Sequence, residues 1–156
     1  PYVQRAFELI GEGYTLGSSM HAETVDGVIE QLTDECDVPV RDIGRLAFVV
    51  PMFVGVNNGQ RVRRVTEVAV LEPLGASYDR HSIARWDGSD DSYTILSTPA
   101  EINAAARRLD MEDDEFLSEL GKREQFLEQL VREGVMSMDD VQARVFAFKG
   151  YELITD

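Results

Sequence analysis

The segment LAFVVPMFVGV, residues 46–56, is a continuous apolar run that ends in NNGQ at 57–60, after which RVRRVTEVAVLEPL returns. An apolar run closed by such a turn reads as a buried strand entering a hairpin. Pro51 interrupts the run, and a residue without an N–H implies a bulge or an edge position. A second hairpin follows from SYDRHSIARW, the turn DGSDD and SYTILS, which alternate with a period of two. The middle of the chain is therefore expected to be built from hairpins, ending near Ser97.

Helical patterns flank this region. YVQRAFELI at 2–10 reads as the end of an amphipathic helix stopped by Gly11 and Gly13. YTLGSS is short and strand-like, and runs into His21. From Thr24, the apolar residues Val25, Val28, Ile29 and Leu32 recur at i, i+3, i+4, i+7, so they share one helical face. Thr24 suits the N-cap, and Glu23 and Asp26 suit the positive end of the dipole. VPVRDIGRL reads as a short helix or turn.

From Pro99 the texture becomes helical. PAEINAAARRL, EDDEFLSELGKREQFLEQLVREG and SMDDVQARVFAF predict three helices, with Thr98 and Ser137 as caps. The long one carries Phe116, Leu117, Leu120, Phe126, Leu127, Leu130 and Val131, a face expected to pack in a core rather than to dock a partner. The expected organisation is thus 1–98, strand-rich, and 99–156, a helical C-terminal subdomain. Charge does not mark the boundary: residues 1–98 hold 15 acids and 8 bases, residues 99–156 hold 14 and 7, so each carries −7.

The whole-chain charge of −14, with 13 of 15 basic residues being arginine, suits a surface solvated at very high salt. It excludes nonspecific nucleic-acid binding, which needs a cationic footprint. The single cysteine, Cys36, cannot form an internal disulfide or a Cys-rich metal site, and a reducing, cytoplasmic setting fits. No run of 18 apolar residues exists, so no membrane insertion is expected.

Phosphate chemistry in this chain would need G-x-x-x-x-G-K-[ST], whose amides and lysine hold the phosphates. GEGYTLGSS is glycine-rich without the lysine, and no apolar strand ends in an acidic pair suited to magnesium. Nucleotide hydrolysis by these residues alone is therefore not expected. His21, Glu23 and Asp26 lack metal-ligand spacing, and His81 has no partner nearby in the sequence. His21 has two readings. Its imidazole N–H stands where a phosphate would be within reach, or it is a helix-start histidine bonded to local backbone.

GYTLGSSMHAETVDGVIEQLT, followed by VP, LAFVVPM and GQRVRRVTEV, resembles the C-terminal part of the type II/type IV secretion traffic ATPases of archaea, which include the motors of archaeal pili and archaella. The family carries a histidine box, G-H-x-x-x-S-T-M-H-A. Gly13 matches its opening glycine, Ser18, Ser19 and Met20 its S-T-M, and His21 and Ala22 its closing pair, while Tyr14 replaces the usual first histidine. The match covers about residues 2–72 firmly. It implies an α/β fold, namely the C-terminal portion of a RecA-like motor domain followed by a helical tail. It implies His21 as a phosphate sensor, Tyr14, Ser18 and Ser19 beside the nucleotide, and Arg61, Arg63 and Arg64 at a subunit interface. In a strand, Arg61 and Arg63 point one way and Arg64 the other.

By the same resemblance, the chain is a piece of a longer protein whose phosphate loop and acidic strand precede Pro1. That parent would bind ATP and magnesium, form a hexamer, and work at the cytoplasmic membrane face with an inner-membrane platform protein. The piece itself would hold no cofactor and hydrolyse no ATP. The competing expectation is a stand-alone interaction module of the same machinery.

Overall fold

The computed structural model describes residues 2–57, 59–96 and 98–150. It is mixed helix and sheet, and divides into two compact units, Pro1–Glu112 and Asp113–Asp156.

The first unit opens with α1 (Tyr2–Gly11). The helix ends at Gly11 and is closed two residues on by Gly13, at φ +95. There the Tyr14 N–H donates to the Leu9 carbonyl and the Gly13 N–H to that of Ile10, a Schellman closure that only a left-handed residue permits. Helix α2 (Val25–Glu30) starts on its expected cap, the Thr24 hydroxyl accepting from the Gly27 N–H at 3.0 Å. It continues into a π-helical turn, Gln31–Glu35. Helix α3 (Val40–Ile43) follows.

Six strands come next: β1 (Phe48–Val49), β2 (Met52–Asn57), β3 (Gln60–Val65), β4 (Glu67–Leu74), β5 (Ser77–Asp87) and β6 (Ser92–Ile95). All described pairings are antiparallel, in a four-stranded sheet of order β1-β4-β5-β6 and a separate hairpin β2-β3. The apolar run at 46–56 is therefore not one buried strand. At Val50–Pro51 the chain leaves the main sheet, because Pro51 cannot donate to a ladder, and β2 alternates exposed and half-buried residues. The returning segment breaks likewise at Thr66, whose N–H donates to the Pro51 carbonyl. Gly59, at φ +79, makes the β2-β3 turn as expected; Asn58, which belongs to the same turn signal, and Ser97, expected to end the strands, lie outside the described residues.

The core gathers Phe7, Val25, Leu32, Ile43, Val49 and Leu71, with Val28 and Ile29 packed against it, so the predicted helical face is the buried one. Ala69, Val70 and Leu71 of β4 are all fully buried. Successive strand residues face opposite ways, so β4 is covered on both faces. Helix α4 (Pro99–Arg108) packs on β4 and β5, its Arg107 reaching Glu72 at 2.8 Å. Its capping box forms as expected: the Thr98 hydroxyl accepts from the Glu101 N–H and the Glu101 carboxylate from the Thr98 N–H. Buried Ala104, Ala105 and Ala106 allow it to lie close. For that reason α4 belongs with the strand-rich unit, and the division falls after Glu112 rather than after Thr98. Gly44, at the end of α3, sits so near β4 that a Cβ would stand 2.8 Å from the Pro73 backbone.

The second unit holds α5 (Asp113–Arg132) and α6 (Met138–Phe148). Phe126 and Phe148 stack at 4.4 Å, Arg144 pairs with Glu133 at 2.7 Å, and the Ser137 hydroxyl caps α6 by accepting from the Asp140 N–H. Of the α5 residues expected in a core, Phe116 and Leu130 are buried, whereas Leu117, Leu120, Leu127 and Val131 are exposed.

Candidate functional site

Residues 12–21 form an irregular, wholly exposed segment. YTLGSS is not a strand: it has no pairing partner among the described residues, and its side chains face solvent. Tyr14 is 64% exposed, and Ser18, Ser19 and His21 are exposed as well. The four box residues thus share one segment, but no strand end delivers His21.

What holds His21 is a helix residue ten positions on. Gln31 donates its Nε2 to the His21 carbonyl at 2.7 Å. The bond secures the backbone and leaves the imidazole in solvent. Thr24 then starts α2, and the direction of α2 is set by Arg80 of β5. Its guanidinium donates to Asp26 at 2.7 Å and to both oxygens of Glu67 at 2.9 and 3.0 Å. Burial lowers the Arg80 pKa, but hydrogen bonds and charge from Glu67 and Asp26 outweigh it and raise the pKa overall. Gln31 and Arg80 were not legible as site residues: Arg80 meets a residue 54 positions away, and nothing local announces either bond.

The hairpin arginines separate as strand geometry requires. Arg64 makes a two-pronged bond to Asp91 at 2.8 and 2.7 Å. Trp86 donates its indole N–H to the same carboxylate at 2.8 Å and stacks on Phe53 at 5.5 Å. The Arg64 hydrogen bond, then that of Trp86, holds the Asp91 carboxyl down to about 2. Arg64 is therefore engaged within the chain, while Arg61 and Arg63 are exposed and form no ion pair among the described residues. His81, expected to stand alone, lies 3.4 Å from Asp79 and 3.5 Å from Glu72. Among the described residues no group of His, Cys, Asp and Glu could hold a metal ion, and no helix is long and apolar enough to cross a membrane.

No protein-family model matches the chain. It is similar to the uncharacterized protein MJ1287 of Methanocaldococcus jannaschii, 25% identical over 130 residues, which cover 81% of this chain and 48% of that protein. The chain thus spans about half the length of the relative it matches.

Proposed function

We propose that the chain is the C-terminal part of a secretion-type or pilus-assembly ATPase, a RecA-like motor whose nucleotide site is completed by residues outside this sequence. The observation that carries this reading is the box segment. Ser18, Ser19 and His21 stand together in solvent, between a Schellman-closed helix and a capped one, with the His21 carbonyl clipped by Gln31. Two hydroxyls and an imidazole can donate to phosphate oxygens, and the Gln31 bond to the His21 carbonyl holds the C-terminal end of the box. They suit a phosphate terminus, whereas binding of ATP with magnesium needs the phosphate loop and carboxylate that these residues lack. His21 then senses the terminal phosphate, Tyr14 lies beside the nucleotide, and the hexamer acts on an inner-membrane platform protein from the cytoplasmic side.

The test is a steady-state ATPase assay of the longer gene product. His21→Ala is expected to lower turnover about 100-fold, the scale of losing one preorganised contact to developing charge. The 156-residue chain alone should show none. Unchanged turnover in the variant, or magnesium-dependent hydrolysis by the chain alone, refutes the reading. The alternative, a non-enzymatic interaction module, is favoured by the exposed apolar row Met52, Val54 and Val56, and a gene product lacking a phosphate-loop lysine would establish it.

A further inference from the structure

The outer face of the β2-β3 hairpin is amphipathic in an unusual sense. Residues opposite one another in an antiparallel pair share a face. Val54 lies opposite Arg63 and Val56 opposite Arg61, with Met52 next in the apolar row. Met52, Val54 and Val56 are 54%, 67% and 63% exposed. Three adjacent apolar side chains left in water mark a docking surface. The other face is already occupied, by the Phe53–Trp86 stack and the Arg64–Asp91 pair. What the outer face offers is an apolar row beside two unpaired cations, in a chain of net charge −14.

Helix α5 carries the complement. At 100° per residue, its exposed Leu117, Leu120, Leu127 and Val131 fall with Glu124 and Glu128 inside an arc of about 100°. Neither glutamate is ion-paired among the described residues. The charge spacings agree: two residues apart on a strand is about 7 Å, and one helical turn is about 6 Å. Arg61 and Arg63 can therefore face Glu128 and Glu124 while the valines of β2 meet the leucine stripe.

We propose that the outer face of the β2-β3 hairpin docks on α5 of a second copy of this chain. A nucleic acid or an anionic bilayer would have to attract a strongly acidic molecule through two arginines, whereas a second copy supplies matching acids at matching spacing. The contact joins two different surfaces, so it is head-to-tail and builds open chains or a closed ring. It rests on the proposed function for its setting, since it names the surfaces through which hexamer subunits would meet, but its test needs no nucleotide.

The experiment is sedimentation velocity of the 156-residue chain over a hundredfold range of concentration in half-molar potassium chloride, which screens the net repulsion. The wild type is expected to self-associate with rising concentration. R61E/R63E and E124R/E128R should each weaken association at least tenfold. An equimolar mixture of the two matches both contacts, the Glu hairpin of one on the Arg helix of the other and the Arg hairpin on the Glu helix, and should associate in alternation. The chain carrying all four changes should again associate as the wild type does. A wild type that stays monomeric overturns the proposal, as does association indifferent to the reversals or not rescued by the mixture. If either charge-reversed chain melts more than 5 °C below wild type, Val54→Ser and Leu127→Ser are read instead, with the same tenfold loss expected. These failures leave the phosphate reading of His21 standing, and failure of that reading leaves the association intact.

Discussion

Replacing Arg80 with methionine keeps the aliphatic stem and removes the charge that ties α2 to the sheet. Two carboxylates lose a partner, but they are not equivalent. Asp26 is 73% exposed and regains water, whereas Glu67 is 14% exposed and is left with Arg85 at 3.9 Å. Removing one partner of a fully buried pair costs about 3–5 kcal/mol. Arg80 itself is over a quarter exposed, so solvent screening brings the expected cost down to about 2 kcal/mol, the scale of hydrogen bonds to a charged group. For a chain of this size that lowers the melting temperature by about 4–8 °C. Asp26→Asn should cost about 0.5 kcal/mol or less, as exposed pairs do. Calorimetric melts at neutral pH, with guanidinium curves for the free energies, compare the two. An Arg80→Met melt within a degree of wild type, or an Asp26→Asn loss equal to that of Arg80→Met, would show that burial of Glu67 does not set the cost.

Gly44→Ala forces a Cβ to within 2.8 Å of the Pro73 backbone and should cost about 1–3 kcal/mol as overpacking does, while Gly17→Ala, with open space around it, should change the melt by less than a degree. Asp91 titrates at about 2 in the folded chain and near 3.9 unfolded; a depressed folded value stabilises fully above the unfolded one and is lost as pH falls from about 4 through 2. The single tryptophan, Trp86, donates to this carboxylate, so its emission should change with a midpoint near 2, and a midpoint near 4, or persistence of the change in Asp91→Asn, contradicts the geometry. Crowded carboxylates repel at low ionic strength, so melting should rise between dilute buffer and molar potassium chloride; a flat response removes the high-salt reading.

The features legible in the sequence are those whose cause is local. Thr24, Thr98 and Ser137 each bond a backbone N–H three residues on, so the helix starts could be placed from spacing. The turns of the β2-β3 and β5-β6 hairpins were legible for the same reason. What was not legible depends on distant partners. Nothing in LAFVVPMFVGV says that Phe48 and Val49 meet β4 whereas Met52 to Asn57 fold outward, because Pro51 announces a break but not where each half goes. The alanine run of α4 fits a helix anywhere until β4 and β5 are in place beneath it. In the box segment the residue types were readable but their conformation was not, since the glycines and serines at 11–19 favour no single backbone state and the tether at Gln31 is a side-chain choice.

The β2-β3 hairpin is inserted between β1 and β4, which are themselves sheet neighbours. For folding kinetics this matters more than for stability. Pairing Val49 with Ala69 means closing a loop on the order of 20 residues, whose entropic cost grows with the logarithm of its length. A hairpin forms in about 1–10 μs, and once β2 and β3 are zipped from Gly59 the ends at Pro51 and Thr66 already lie side by side, as the bond between them records. With the hairpin zipped, the long closure shrinks to a few residues, which lowers the entropic cost of pairing β1, only two residues long, with β4.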